Sequence, residues 1–324
     1  MEFKHLPEGV LPPITFHDLI HSEWAEEEFI SGGFFMRGDR MVIGAESKAG
    51  KTTLLSYLIR QLISGGDFLG FKINRPMRVL NLQAEMRNPQ MKKRMYPKFS
   101  QLSPEHLLNS YTFYTRGMML LDDTDHQKAF LELFEQVKPD LAILDPFINF
   151  HSQDENDARS MMKVFRFIDR LKEKYNFSIA IAQHFRKKGQ NDHSLLEMIR
   201  GTTALRGWAD TIIAMEGRTE SGYRRLEFET RNVYEPINRI IKYNPDTKEF
   251  DWMDPTSKAT EMITSAWPEG DEKTGKEVDI FIKETCGHLF GSNRAKILTF
   301  KKHLLGTNIL DQRKDGRKVL YFLK

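Results

Sequence analysis

Cysteine is almost absent from the chain. Cys286 stands alone among 324 residues, so neither an internal disulfide nor a cysteine-rich metal cluster can form. That usage fits a reducing compartment, and a cytoplasmic protein is expected. Long apolar runs are missing as well. No stretch approaches the length needed to span a bilayer, and the opening MEFKHLPEGVLPP lacks a basic region followed by an apolar core. Neither secretion nor a membrane anchor is expected. Net charge is also scarce: 48 basic against 45 acidic residues leave +3, so only local clusters can announce a polyanionic partner. No internal repeat and no low-complexity tract is present.

What is present is alternation. Between residues 41 and 252, short apolar runs (MVIGA, RVLNLQ, SYTFYT, LAILD, SIAIAQ) are separated by stretches such as TTLLSYLIRQLI, DHQKAFLELFEQV and DARSMMKVFRFIDRLKEKY. In those stretches apolar residues recur every three or four positions, as in helices buried on one side. Parallel strands joined by crossover helices read this way, so a doubly wound α/β sheet is expected. After GWADTIIAM the runs YRRLEFETR, NRIIKYN and EFDWM are short, alternating and turn-separated, which suggests antiparallel edge strands.

Four segments follow. Residues 1–33 form an N-terminal segment of acidic helical character, and residues 34–253 the α/β core. Residues 254–275, with Pro255, Pro268 and no sustained period, are expected to be a linker. Residues 276–324 read as two helices and a hairpin turning at Asp315-Gly316, a small winged-helix-like module. From Lys283 to Lys324 it carries ten Lys and Arg against three Asp and Glu. Its basic hairpin, residues 313–318, would suit phosphate contact by a wing or would simply be solvated.

The most specific motif lies at the end of MVIGA. Ala45, Glu46, Ser47, Lys48, Ala49, Gly50, Lys51, Thr52 and Thr53 fit a phosphate-binding loop between a strand and a helix. Successive backbone N–H groups and the positive end of a helix surround phosphates in such a loop. Lys51 would reach the β- and γ-phosphates, and Thr52 would hold Mg²⁺. Asp145, after the apolar run of PDLAILD, is the candidate second metal ligand, although buried strands also end in Asp to cap the next element. Glu85, after RVLNLQ, is the candidate that activates water; its plain alternative is a solvated loop carboxylate. Lys48 has no evident task beyond offsetting Glu46.

GAESKAGKTT, LNLQAEM, LAILDPFINFHSQDENDARSM, IAIAQHFRKKG and IRGTTALRGWADTIIAM together resemble the RecA-like ATPases of the hexameric replicative helicase group, specifically the plasmid RepA-like branch of mobile elements and phages. The resemblance covers residues 34–252 and implies a RecA-like core that uses ATP and Mg²⁺. It implies that Gln183 and His184, where the family usually has two histidines, sense the γ-phosphate. The basic, unpatterned segment that follows offers Arg186, Lys187, Lys188 and Arg200 for a nucleic-acid backbone, or else a solvated loop. The resemblance further implies a homo-oligomer, a hexamer, on single-stranded DNA, with a replication initiator or loader as possible partner. Arg231 would complete a neighbour's site in trans, although the lysine usual beside it is missing. An ATP-driven translocase or helicase is the first expectation. The alternatives are a recombination-type strand-binding ATPase forming filaments, and a nucleotide-gated DNA-binding replication regulator.

Overall fold

Residues 13–22, 28–32, 34–46, 48–114, 119–185, 194–199, 203–217, 222–233, 238–290, 294–316 and 318–324 are described in a computed structural model of the chain. Nine segments form the strands of the main sheet: β1 (Arg40–Ala45), β2 (Val79–Gln83), β3 (Ser110–Tyr114), β4 (Leu141–Asp145), β5 (Ser178–His184), β6 (Thr211–Met215), β7 (Tyr223–Thr230), β8 (Asn238–Tyr243) and β9 (Phe250–Met253). They form one sheet in the order β9-β8-β7-β6-β1-β5-β4-β2-β3. From β6 to β3 every pairing is parallel, and β6 to β9 pair antiparallel.

β2, β4 and β6 are buried at every position, because helices cover both faces of the sheet. Strand alternation divides the core. Met41 and Ile43 of β1 join Leu54, Leu58 and Leu62 on one face, while Val42 joins Phe130, Phe134 and Phe165 on the other. The first face is covered by α1 (Lys51–Ser64) and α2 (Asn88–Phe99), the second by α3 (Thr124–Val137) and α4 (Ala158–Tyr175). Phe165 of α4 stacks on Trp208 with ring centroids 4.6 Å apart. Asp157 caps α4 by accepting from the backbone N–H groups of Arg159 and Ser160, so the last acid of the DEND segment starts a helix.

Two expected boundaries move. Phe29 and Ile30 belong to the core cluster of α1 and β1, both fully buried, so the segment before residue 34 is partly core. The expected linker contains a helix, α5 (Pro255–Ala266), capped by Asp254 with Pro255 in its first turn. Ala259, Ile263 and Trp267, spaced by four, pack with Val278 and Ile282 of α6 (Gly275–Cys286) and Ile297, Phe300 and Leu304 of α7 (Arg294–Gly306). The polar residues between these three positions, and Pro255 and Pro268 on either side, hide the period. Strands β10 (Leu310–Asp315) and β11 (Lys318–Leu323) pair as a hairpin, and Lys273–Thr274 add a third strand beside β11. The C-terminal unit is therefore helix, strand, helix, helix, strand, strand, starting at Pro255. Ile240 of β8 shares its core, which seats the unit on the antiparallel edge. Among the described residues, no helix is long and apolar enough to cross a membrane.

If α5 is part of this core, truncating its central residue must cost stability. Ile263→Ala, at a fully buried position, should lower the unfolding free energy by about 2–5 kcal/mol in urea titration. An unmoved midpoint would mean that the segment behaves as a linker.

Candidate functional site

The phosphate loop leaves β1 at Ala45 and enters α1 at Lys51. Gly50, the N-cap, has φ 103°, a left-handed conformation that a side chain would strain. Lys48 has φ 63°, unusual without glycine, and Ala49 N–H donates to the Glu46 carbonyl at 3.2 Å. A Cβ on Gly217 would lie 2.5 Å from Glu46 Oε2, so Glu46 leans on the end of the neighbouring strand segment. In the first turn of α1 the Thr53 N–H already donates to the Gly50 carbonyl at 2.9 Å, while N–H groups at the very start of a helix, as at Lys51 and Thr52, have no carbonyl four residues back within it. Ser47 lies outside the described residues.

Lys51 Nζ stands 3.8 Å from Asp145 Oδ1, with side chains 8% and 5% exposed. Neither atom has a hydrogen-bond partner among the described residues. Burial lowers the Lys51 ammonium and raises the Asp145 carboxyl, while their mutual attraction opposes both shifts. Two buried, unbonded atoms of opposite charge at the head of a phosphate loop suit a ligand that brings both charges. Lys51 fits a phosphate oxygen. Asp145 and the Thr52 hydroxyl are hard oxygen ligands suited to Mg²⁺, which takes one or two protein ligands beside substrate phosphates. In keeping with so sparse a ligand set, the described residues contain no cluster of three or more acids, histidines or cysteines that would hold a metal unaided.

Gln83, 1% exposed, organises the other side. Its Nε2 donates to Asp145 Oδ2 at 3.1 Å, and its Oε1 accepts from the N–H of Glu85 at 2.9 Å and of Met86 at 3.4 Å. One buried amide thus fixes the metal-ligand candidate and the turn carrying Glu85. Glu85 itself is exposed, and its charge is felt at both Lys51 and Asp145.

On β5, Gln183 pairs with Gly44 and His184 with Ala45, so both abut the origin of the loop. Gln183 Nε2 donates to Glu155 Oε1 at 2.5 Å, and that oxygen lies 3.9 Å from His151 Nε2. Burial lowers the His151 imidazole. His184 lies near enough to Asp145 to favour its ionised form. Arg186, Lys187, Lys188 and Arg200 lie outside the described residues; the described ends of that stretch, Phe185 and Ile199, form a bridge.

Arginine placement adds a residue that the sequence reading passed over. Arg224 of β7 donates from Nε to the Ala49 carbonyl at 2.7 Å, and a Cβ on Gly50 would lie 3.4 Å from its Nη2. A same-chain guanidinium therefore rests on the loop. Arg231, at the other end of β7, pairs with Asp210 at 3.1 Å and donates to the Gly207 carbonyl. Because Thr230 is matched to Thr211 and Thr211 to Met41, Arg231 sits at the end of the sheet away from its own loop.

Beside Thr52 and Thr53 lies a cavity of about 250 Å³, into which Arg94, Lys98, Tyr243 and Lys248 also face. No acid lines it. Lys98, 8% exposed, has its ammonium pushed down to about 8 by burial and by Arg94.

A family profile described as an AAA domain matches residues 7–190, over half of the chain. Among solved structures, the ATPase domain of the G40 protein aligns over 68% of this chain and 86% of that domain, with 13% identity and a TM-score of 0.50. A KaiC-like protein from Pyrococcus horikoshii aligns over 70% of this chain and 94% of that one, with 12% identity and a TM-score of 0.48. A comparison with curated proteins gives no match. The first of the two structures supports the RecA-like fold.

Gln83 can be tested without ligand. Gln83→Leu leaves Asp145 Oδ2 and two backbone donors without their partner, which should cost about 1–3 kcal/mol in urea unfolding. An unchanged midpoint would show that Gln83 does not hold these groups.

Proposed function

The chain belongs to the AAA domain family, and from that premise we propose that this RecA-like ATPase is an ATP-driven DNA translocase or helicase of a mobile element or phage. It acts as a homo-oligomeric ring, a hexamer, on single-stranded DNA. The observation that carries the enzymatic part is the buried Lys51–Asp145 pair, whose facing atoms have no hydrogen-bond partner among the described residues and which is tied through Gln83 to the turn of Glu85.

Lys51 and the loop N–H groups would bind the β- and γ-phosphates, and Thr52 and Asp145 would hold Mg²⁺, which would supply positive charge to offset that developing on the transferred phosphate. Glu85 orients the attacking water and takes its proton, and Gln83 keeps Glu85 and Asp145 in mutual register. Gln183 trades its bond to Glu155 for a phosphate oxygen when the γ-phosphate is present, and His184 lies beside it. The acid-free cavity next to Thr53 seats the α-phosphate and nucleoside end, with Lys98 and Arg94 supplying charge.

The DNA part rests on placement. In sequence, Arg186, Lys187 and Lys188 follow directly on β5, whose end carries Gln183 and His184, and Arg200 comes sixteen residues after His184. Nucleotide state at that strand end would therefore change the DNA contact, as stepping requires. Arg231 is half exposed and far from its own loop, so its role in hydrolysis is across a subunit boundary, on release from Asp210. A replication initiator or loader is the partner class such a ring would need. The structured C-terminal unit, with its basic hairpin, favours the second reading: a nucleotide-gated regulator that reads duplex DNA.

Steady-state hydrolysis at low salt separates these. Single-stranded DNA should stimulate the wild type, and Glu85→Gln should lower kcat roughly 10²–10⁴-fold. Hydrolysis indifferent to single strands would remove the translocase reading and leave the ATPase; a response only to duplex would favour the regulator. Lys98→Met should raise KM for ATP about tenfold, the loss of one charge-assisted contact, with kcat within about twofold of wild type. An unchanged KM would place the nucleoside elsewhere.

A further inference from the structure

Glu227 lies in β7 with 3% of its surface exposed, and the reading above gives it no task. A carboxylate so buried is costly unless it is fully bonded. Its Oε2 accepts from the Ser194 hydroxyl at 2.6 Å and the Leu195 N–H at 2.8 Å. Its Oε1 faces Lys296 Nζ at 3.3 Å and Arg225 Nη1 at 3.8 Å. Burial pushes the carboxyl up, but Ser194, Arg225, Lys296 and Leu195 together hold it below its ordinary value. The two oxygens therefore join two different parts of the chain: the stretch returning toward the sheet at Ser194, and helix α7 of the C-terminal unit.

The first of these parts leads back to the phosphate loop. Ser194 and Leu195 enter the short turn Leu196–Met198, and the next residue, Ile199, bridges Phe185. Ile199 fills the space over Gly44: a Cβ there would come within 2.7 Å of its Cγ1. Gly44 pairs with Gln183 and directly precedes Ala45, where the loop begins. An unbroken series of contacts runs from Lys296 through Glu227, Leu195 and Ile199 to the backbone that carries Gln183 and the loop.

We propose that Glu227 is a positioning residue for ATP hydrolysis: through it, Lys296 of the C-terminal unit fixes the seat of Ile199 on Gly44 and thereby the placement of Gln183 against the bound phosphate. This rests on the ATPase reading of the site. Packed side chains and ion pairs of this kind carry coupling between distant parts of a protein. Glu227 touches neither nucleotide nor metal in this arrangement.

The test uses the full-length chain and measures kcat, KM for ATP and the thermal midpoint together. Lys296 is 40% exposed at its side chain, so its replacement should leave folding intact. Lys296→Met should lower kcat at least about fivefold, the lower end of typical coupling, with KM and midpoint unchanged. Lys296→Arg, which keeps the charge, should restore kcat. Glu227→Gln should lower kcat similarly, and combining it with Lys296→Met should add nothing further. An unchanged kcat in Lys296→Met, additive losses in the double variant, or a loss matched by a fall in midpoint would overturn the proposal. A wild type that hydrolyses no ATP in Mg²⁺ would instead overturn the reading of the site, a result distinguishable because no variant then has activity to lose.

Discussion

The Lys51–Asp145 pair is the constraint around which the rest of the core is arranged. An ammonium and a carboxylate 3.8 Å apart, buried and without hydrogen bonds at the facing atoms, lose hydration worth several kcal/mol per ion that their attraction only partly offsets. Burial drives each toward its neutral form, Lys51 downward and Asp145 upward. A phosphate oxygen and a divalent cation reverse both tendencies at once, because each brings the charge that its partner lacks. The strain therefore favours the liganded state. It also requires that the two groups be held by something rigid, which here is a set of strands buried on both faces.

Strand order explains why Gln183 and His184 stand where they do. β5 lies between β1 and β4, so the loop and Asp145 start from strands two apart, about 10 Å at ordinary sheet spacing. Lys51 reaches back across that gap. Whatever ends β5 must then lie between the phosphate and the metal-ligand candidate, and it is Gln183 and His184 that do. The Gln183 bond to Glu155 ties the end of β5 to the segment that leads into α4. Gln83 performs the corresponding service on the neighbouring pair, where its register partner is Asp145 itself.

Much of this architecture could be read from the chain. Five of the parallel strands were visible because buried parallel strands are continuous apolar runs, the three edge strands because they alternate between turns, and the loop because Gly50-Lys51-Thr52 sits between a strand and a helix. Gln83 was hidden for the same reason that the strand was visible: within VLNLQ it reads as the polar end of an apolar run. Its role depends on a partner 62 residues away. Arg224 and Arg225 drew no reading of their own within an alternating edge strand, yet one lies on the loop and the other, 8% exposed, joins the acids Glu216 and Glu227. Helix α5 was masked by Pro255 and by Ser and Thr, whose preference for turns outweighed three apolar positions at four-residue spacing. In each case the missing information was a long-range contact, which local pattern does not encode.

The two ends of β7 show what such contacts decide. Arg224 and Arg231 are seven residues apart, roughly 24 Å in an extended strand, so they cannot serve one phosphate site. The antiparallel turn of β7 against β6 sends the first to its own loop and the second to the opposite end of the sheet, where Asp210 already holds Arg40 at 2.8 Å. Arg40 satisfies that carboxylate through its guanidinium and backbone N–H, so Asp210 can part with Arg231 without being left as an unpaired buried charge. The geometry thus provides one arginine bound to the local loop and one, half exposed, at the opposite end of the sheet. A parallel β7 would have reversed these positions, bringing Arg231 to the local loop and Arg224 to the far end.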